Sequence, residues 1–272
     1  MKIIVSHDVD HLSSREHGRD LVVPKYVARA LLELGKGRIG AREFATRMAE
    51  TAQGRWNHLR ALAEWDAAQG IRSTFFFAVA NGMGLAYRPE AARPLVDAVR
   101  AAGHDVAIHG IERGDAAALR AERLAFEAAY GLPCRGMRMH YLHPDASLLA
   151  RLAEAGYAWD SSLRGDGPAH DVGPLQAFPV HLMDGDIMLA GRRHQGVDVA
   201  TALERTQQRL LQLAQAGVDY ASLLFHDRYF SEGHRSWRGW YCGTLAWARA
   251  QGFGFCSYEE AVAERAARNR RT

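Results

Sequence analysis

Strand and helix signals alternate along almost the whole chain, and few folds accept a chain with that rhythm. MKIIVSHD carries four hydrophobic residues in its first five and reads as a buried strand. IRSTFFFAVA (71–80), HDVAIH (104–109), CRGMRMH (134–140), YAWDSS (157–162), VDYASLLFH (218–226) and FGFCS (253–257) read as further strands, each preceded by Gly or Pro. Between them, segments such as RPEAARPLVDAVRAAG, DAAALRAERLAFEAAYG and TALERTQQRLLQLAQAG place apolar residues at helical spacing and end in Gly. Strands separated by helices imply right-handed βαβ units and a parallel sheet, and about seven or eight such units favour a closed or nearly closed (β/α) barrel. At 272 residues, 48% of them hydrophobic, one such domain uses the whole chain. No repeat or interdomain linker divides it. Residues 11–69 hold three helical patterns and are expected to form a helical insertion after the first strand. Residues 165–197, rich in Gly and Pro, are expected to be loops around short strands near 176–181 and 186–190.

In a parallel barrel the site lies at the carboxyl ends of the strands. The first strand ends in Asp8 and Asp10, which alternation places on one side, with His7 and Val9 on the other. Two carboxylates so placed need a cation or a shared proton. The strand from 104 ends in His109, that from 134 in Arg138 and His140, YAWDSS in Asp160, and that from 218 in His226. Any one of these alone is ordinarily a structural hydrogen bond, a turn cap or a surface ion pair. Five strand ends delivering ionisable residues to one rim point to a site. Of the aromatic residues, Trp65 sits at helical spacing with Leu62 and is expected in the core, whereas Trp159, Tyr229 and Phe230 are expected to line a cleft.

Charge and cysteine usage exclude other classes. A net charge of +3, with basic residues scattered except in the tail RAARNRRT, does not make a nucleic-acid surface. Cys134, Cys242 and Cys256 are distant, odd in number and without CxxC spacing, so neither a disulfide framework nor a thiolate zinc site is indicated. They read as core thiols in a reducing compartment. No leader-like segment precedes IIVSHD and no apolar run approaches the roughly 20 residues of a membrane span. The expectation is a cytoplasmic protein with no integral membrane segment.

The motifs together resemble the polysaccharide deacetylase superfamily, of the carbohydrate esterase family four type. VSHDVD is similar to its first motif in a DVD variant, GHDVAIHG to its metal-histidine strand, GMRMHY to its arginine motif, YAWDSS to its Asp-x-Ser motif and SLLFHD to its Leu-x-x-His motif. They follow the family's order over nearly the whole chain. The resemblance implies a distorted barrel of about seven strands and metal-assisted hydrolysis of an N-acetyl or related acyl group on a sugar. It implies Asp8 as general base, Asp10 and His109 as ligands of a divalent metal, most simply zinc, with cobalt, manganese, iron or nickel as alternatives. Arg138 would orient the base, His226 would be the general acid, and Asp160 would position that acid. Such chemistry needs a metal with an open position, one carboxylate to take a proton and one acid to return it.

One position departs from the pattern. The family's second metal histidine falls at residue 113, which is Arg113, and a guanidinium cannot ligate a metal. His140 is the favoured replacement, because alternation puts it beside Arg138, with Asp115 and His143 as alternatives. The expected substrate is an acetylated amino sugar or oligosaccharide, on the grounds of location a nucleotide-linked or lipid-linked precursor. A sugar-binding or scaffolding barrel that has lost turnover, and a hydrolase of small non-sugar amides, are the alternatives.

Overall fold

The structure is a computed structural model and describes residues 1–142, 145 and 147–270. Its centre is a curled, mostly parallel sheet. β1 (Lys2–Asp8) pairs with β2 (Thr74–Phe77) on one side and with β9 (Tyr220–Leu224) on the other. From β2 the sheet continues through β3 (Asp105–Gly110), β4 (Gly136–Met139) and β5 (Trp159–Asp160), all parallel. β7 (Leu175–Ala177) pairs with β5, and two residues later β8 (Val180–Met183) pairs with β9. The run from 175 to 183 therefore bridges the two edges, and a further parallel bridge from Arg164 to Val180 closes the seam. β6 (His170–Val172) adds an antiparallel flap outside β7, and β10 (Gly254–Cys256) pairs with the first half of β1.

The helices cover the outside. α1 (Val22–Gly35), α2 (Ala41–Gln53) and α3 (Leu59–Ala68) lie between β1 and β2 in sequence. α4 (Pro89–Ala101), α5 (Ala116–Tyr130), α6 (Ser147–Ala155), α8 (Val199–Gln215) and α9 (Arg235–Ala250) join successive strands. Gly131 ends α5 in the left-handed conformation that favours glycine, with φ 65°. Strand formation near 186–190 is not observed. That segment is the short helix α7 (Asp184–Leu189), which follows β8 directly. The aliphatic IML run is too short for its periodicity to separate strand from helix.

Alternation along each strand sorts the core into two parts. Ile3, Val5 and Val9 of β1 and its end, with Phe75, Phe77, Ile108, Met137 and Met139, pack with helical residues such as Leu62, Val96, Leu119 and Leu210. Ile4, Phe76, Ala107, Trp159, Phe178 and Tyr220 fill the inside of the curl and meet Tyr258, Ala261 and Val262 of α10 (Tyr258–Asn269). The Trp159 and Tyr258 rings stack at 4.6 Å there. Gly136 lies opposite Trp159 in the sheet register, and a Cβ at position 136 would fall 1.9 Å from the indole. No described helix is long and apolar enough to cross a membrane.

Gly136→Ala therefore overpacks the barrel floor. It is expected to destabilise the fold by about 1–3 kcal/mol, read as a lower urea midpoint at unchanged slope; an unchanged midpoint would mean that Trp159 does not lie across this glycine.

Candidate active site

The inward-facing set of each strand changes from apolar to ionisable as the strands approach their carboxyl ends. In β1 the succession is Ile4, Ser6, Asp8 and then Asp10, and in β4 it is Gly136, Arg138 and then His140. Arg138 is fully buried. Its Nη1 donates to Asp8 Oδ1 at 2.8 Å, its Nη2 to the Ser6, Ser161 and Tyr258 hydroxyls, and its Nε to the Ser161 carbonyl. Burial disfavours charge on Asp8, but the guanidinium outweighs it and holds the carboxyl below the usual carboxylate value.

Above this pair, Asp10, His109 and His140 converge. His109 Nε2 lies 3.0 Å from His140 Nδ1 and 3.2 Å from Asp10 Oδ1, and His140 Nδ1 lies 3.4 Å from the same oxygen. The outer nitrogens fix the tautomers. His109 Nδ1 faces the Arg138 carbonyl at 3.1 Å and His140 Nε2 faces the Met83 carbonyl at 3.2 Å, so each neutral ring donates outward and turns a lone pair inward. Asp10 Oδ1 is accordingly a buried acceptor without a hydrogen bond. Three lone pairs at this separation repel unless a cation sits among them or an imidazole takes a second proton. Burial opposes that proton on His109, but Asp8 and Asp10 raise its pKa nevertheless. A tetrahedral ion with ligand bonds of about 2.1 Å spaces its ligands about 3.4 Å apart, so the donor set fits a divalent metal in both chemistry and size.

His226 stands on the other side of Asp10, with Nε2 3.6 Å from Asp10 Oδ2. Its Nδ1 bonds Asp184 at 3.0 Å, and the same carboxylate accepts from the His226 backbone N–H at 2.7 Å. Burial works against the imidazolium, but Asp184, Asp10 and Asp8 together raise its pKa well above the ordinary value. Asp184, the carboxylate bonded to His226, is absent from the set expected on sequence grounds. It follows the last residue of β8, a strand end like those of the other site residues, but one that the local sequence pattern does not mark.

Asp160 does not meet His226. Its partner Met137 in the β4 register faces the helices, so Asp160 points out of the barrel, where it accepts from the Ser162 N–H at 2.9 Å and the Ser162 hydroxyl. Burial pushes its carboxyl up to about 6. Of the alternatives for a third ligand, Asp115 is the cap of α5, accepting from the Ala118 N–H at 2.9 Å, and His143 lies outside the described residues. Arg113 is exposed and donates to the His140 carbonyl at 3.3 Å, leaving the converging atoms clear. His7 faces away, between the Phe225 carbonyl and Asp66. Tyr229 lines the cleft, whereas Phe230 is core and Trp159 is in the barrel floor.

Two cavities meet at the cluster and share Asp10, His140 and Tyr141. The smaller, 150 Å³, adjoins Asp8 and His226 and has Leu142, Met183 and Leu224 as apolar walls. The larger, 290 Å³, opens toward α1 and the turn after β9. Tyr141 and Leu142, just after His140, have φ of 65° and 49°, backbone conformations that non-glycine residues adopt at a cost and that recur at functional sites.

No family model and no curated protein matches the sequence. Solved structures do match the fold. A Mycobacterium smegmatis protein assigned as a polysaccharide deacetylase superposes with a TM-score of 0.64 at 19% identity, over 99% of this chain and 91% of that one. Puue allantoinase gives 0.60 at 15%, over 96% and 88%. A Pseudomonas aeruginosa protein assigned as a polysaccharide deacetylase gives 0.60 at 14%, over 96% and 89%. The fold is that of these proteins.

Asp184→Asn removes the negative charge that does most to keep His226 protonated, so the pKa of its imidazole falls and the protonated form is lost at lower pH. Titration of the His226 ring by NMR is expected to show a fall of about one unit or more; an unchanged pKa would remove Asp184 from this role.

Proposed function

We propose that the chain is a metal-dependent amide hydrolase that removes an N-acetyl or related acyl group from an amino sugar or glycan precursor. The observation that carries this reading is the convergence of three lone pairs, from Asp10, His109 and His140, between a carboxylate held by Arg138 and an imidazole charged by Asp184. Asp10, His109 and His140 would hold the cation, with zinc the simplest choice for one carboxylate and two imidazoles. When bound, it supplies a Lewis acid that polarises the acyl carbonyl and acidifies water.

The protein's own residues divide the proton work. Asp8, kept ionised and aimed by Arg138, takes the proton of the attacking water as the new C–O bond forms. His226 gives its Nε2 proton to the departing nitrogen as the C–N bond breaks, and Asp184 stabilises the charge that His226 carries beforehand. The apolar walls Leu142, Met183 and Leu224 suit a small acyl group next to these two residues. The three free cysteines favour a reducing compartment, which fits a substrate made inside the cell.

A small non-sugar amide is the second reading, kept because one matching fold is named an allantoinase. Zinc-loaded protein offered a panel of N-acetylated sugars and small cyclic or linear amides is expected to release acetate from at least one sugar. Turnover confined to non-sugar amides would favour the second reading, and none at all would contradict both. Asp8→Asn is expected to keep the metal and to lose kcat by orders of magnitude, about a hundredfold or more; wild-type kcat would remove the base assignment.

A further inference from the structure

The larger cavity carries a charge that the hydrolysis does not use. Arg228 lies in the turn just after His226, with its guanidinium carbon 4.4 Å from the Tyr26 ring and 4.3 Å from the Trp56 ring. Its side chain has no hydrogen bond or ion pair to any described residue, and its Nε is buried without a partner. A guanidinium packed against two adjacent rings, with no acid or carbonyl partner among the described residues, keeps its positive charge available to an anion in the cavity.

The surroundings do not neutralise it. Lys25, exposed on α1, lines the same cavity and pairs with no described acid. Arg29 also lines it, and its partner Glu33, at 3.0 Å, is shared with Arg47. The neighbouring Asp227 turns the other way, accepting from the His58 N–H at 3.2 Å, and burial with the nearby Asp10 pushes its carboxyl up to about 8. His11, also on the cavity wall, is an imidazole and brings no negative charge to it. Asp10 is the remaining acid on the wall, and its charge faces His109, His140 and His226.

We infer that the cavity beside the metal cluster is a subsite for an anionic group, a carboxylate or a phosphate, carried by the substrate, with Arg228 as its main anchor and Lys25 and Arg29 as support. The inference rests on the hydrolase reading for its geometry: the acyl group would lie between Leu142, Met183 and Leu224, and the body of the substrate would extend across His140 and Tyr141 toward Arg228. The substrate class narrows from acylated amino sugars in general to those bearing a negative charge on the same or an adjoining unit. Tyr26, Tyr141 and Tyr229 supply flat walls for the ring between the two groups.

The test is calorimetric binding of three probes to the full-length, zinc-loaded protein: N-acetylglucosamine, N-acetylglucosamine 1-phosphate and N-acetylglucosaminuronic acid. At least one charged probe is expected to bind about tenfold or more tightly than the neutral one, and Arg228→Gln is expected to abolish that difference while leaving the neutral probe within about twofold. A preference for the phosphate or for the carboxylate identifies which anion the site takes. Lys25→Gln, at an exposed position that folding does not depend on, is expected to cost the charged probe about threefold. Equal binding of all three probes, no binding of either charged probe, or a preference that survives Arg228→Gln overturns the inference; the last result would mean that the anion goes to the metal. Acetate release from the same samples separates the two proposals. Turnover of the neutral sugar without charge preference leaves the hydrolase reading and removes the subsite. Arg228-dependent anion binding without turnover of any probe does the reverse.

Discussion

A guanidinium shut away from water is costly unless its charge and all its donors are met, and Arg138 sits in that position in the middle of the barrel. Its charge is answered by Asp8, its remaining donors by Ser6, Ser161 and Tyr258, and its face by the Phe76 ring at 4.2 Å. One side chain thus ties β1, β4, the segment after β5 and α10 together. Breaking such a buried pair from one side typically costs about 3–5 kcal/mol, because it strands the other charge. The bond that aims Asp8 is therefore also part of what holds the fold, and the orientation of that carboxylate is as fixed as the core.

The barrel is largely apolar below Arg138 and polar above it. Below lie Trp159, Tyr258 and Phe178; above lie Asp10, His109, His140 and His226. The two aspartates of the first strand reconcile their like charges by different means. Asp8 leans on a fixed guanidinium from behind, while Asp10 turns one oxygen to two imidazoles and the other to His226. His226 is in turn kept charged by Asp184, so the mouth of the barrel alternates negative and positive groups around one open space. The pattern sets a carboxylate and an imidazole on either side of a single position, which is what the proposed amide hydrolysis asks of a base and an acid.

Much of this is legible in the sequence because period-two alternation decides which side of a strand a residue faces. His7 falls one step from Asp8 and is bonded to Asp66 among the helices, whereas Asp8 and Asp10 share the interior. The same rule places Arg138 and His140 on one side, and so brings to the rim the imidazole proposed as third ligand in place of a histidine at 113. Asp160 marks where alternation and motif disagree: the Asp-x-Ser match suggests a role beside His226, but parity with Met137 sends the side chain outward. Asp184 is hidden for a different reason. Its strand is short, lies in a Gly- and Pro-rich stretch and passes at once into α7, so neither its end nor its partner on β9 can be read from local pattern. Arg228 carries no periodic signal at all, since its setting against Tyr26 and Trp56 is assembled from three distant segments.

If the three converging lone pairs are a site for one divalent cation, the protein must bind that cation and lose it with its ligands. Isothermal titration of chelator-treated protein with zinc, beside Asp10→Ala and His140→Ala, reads this without any substrate. One equivalent is expected to bind at micromolar or tighter affinity in the wild type, with a loss of about a hundredfold or more in each variant. No saturable binding in the wild type, or equal affinity in all three proteins, would contradict the metal site and the hydrolysis built on it.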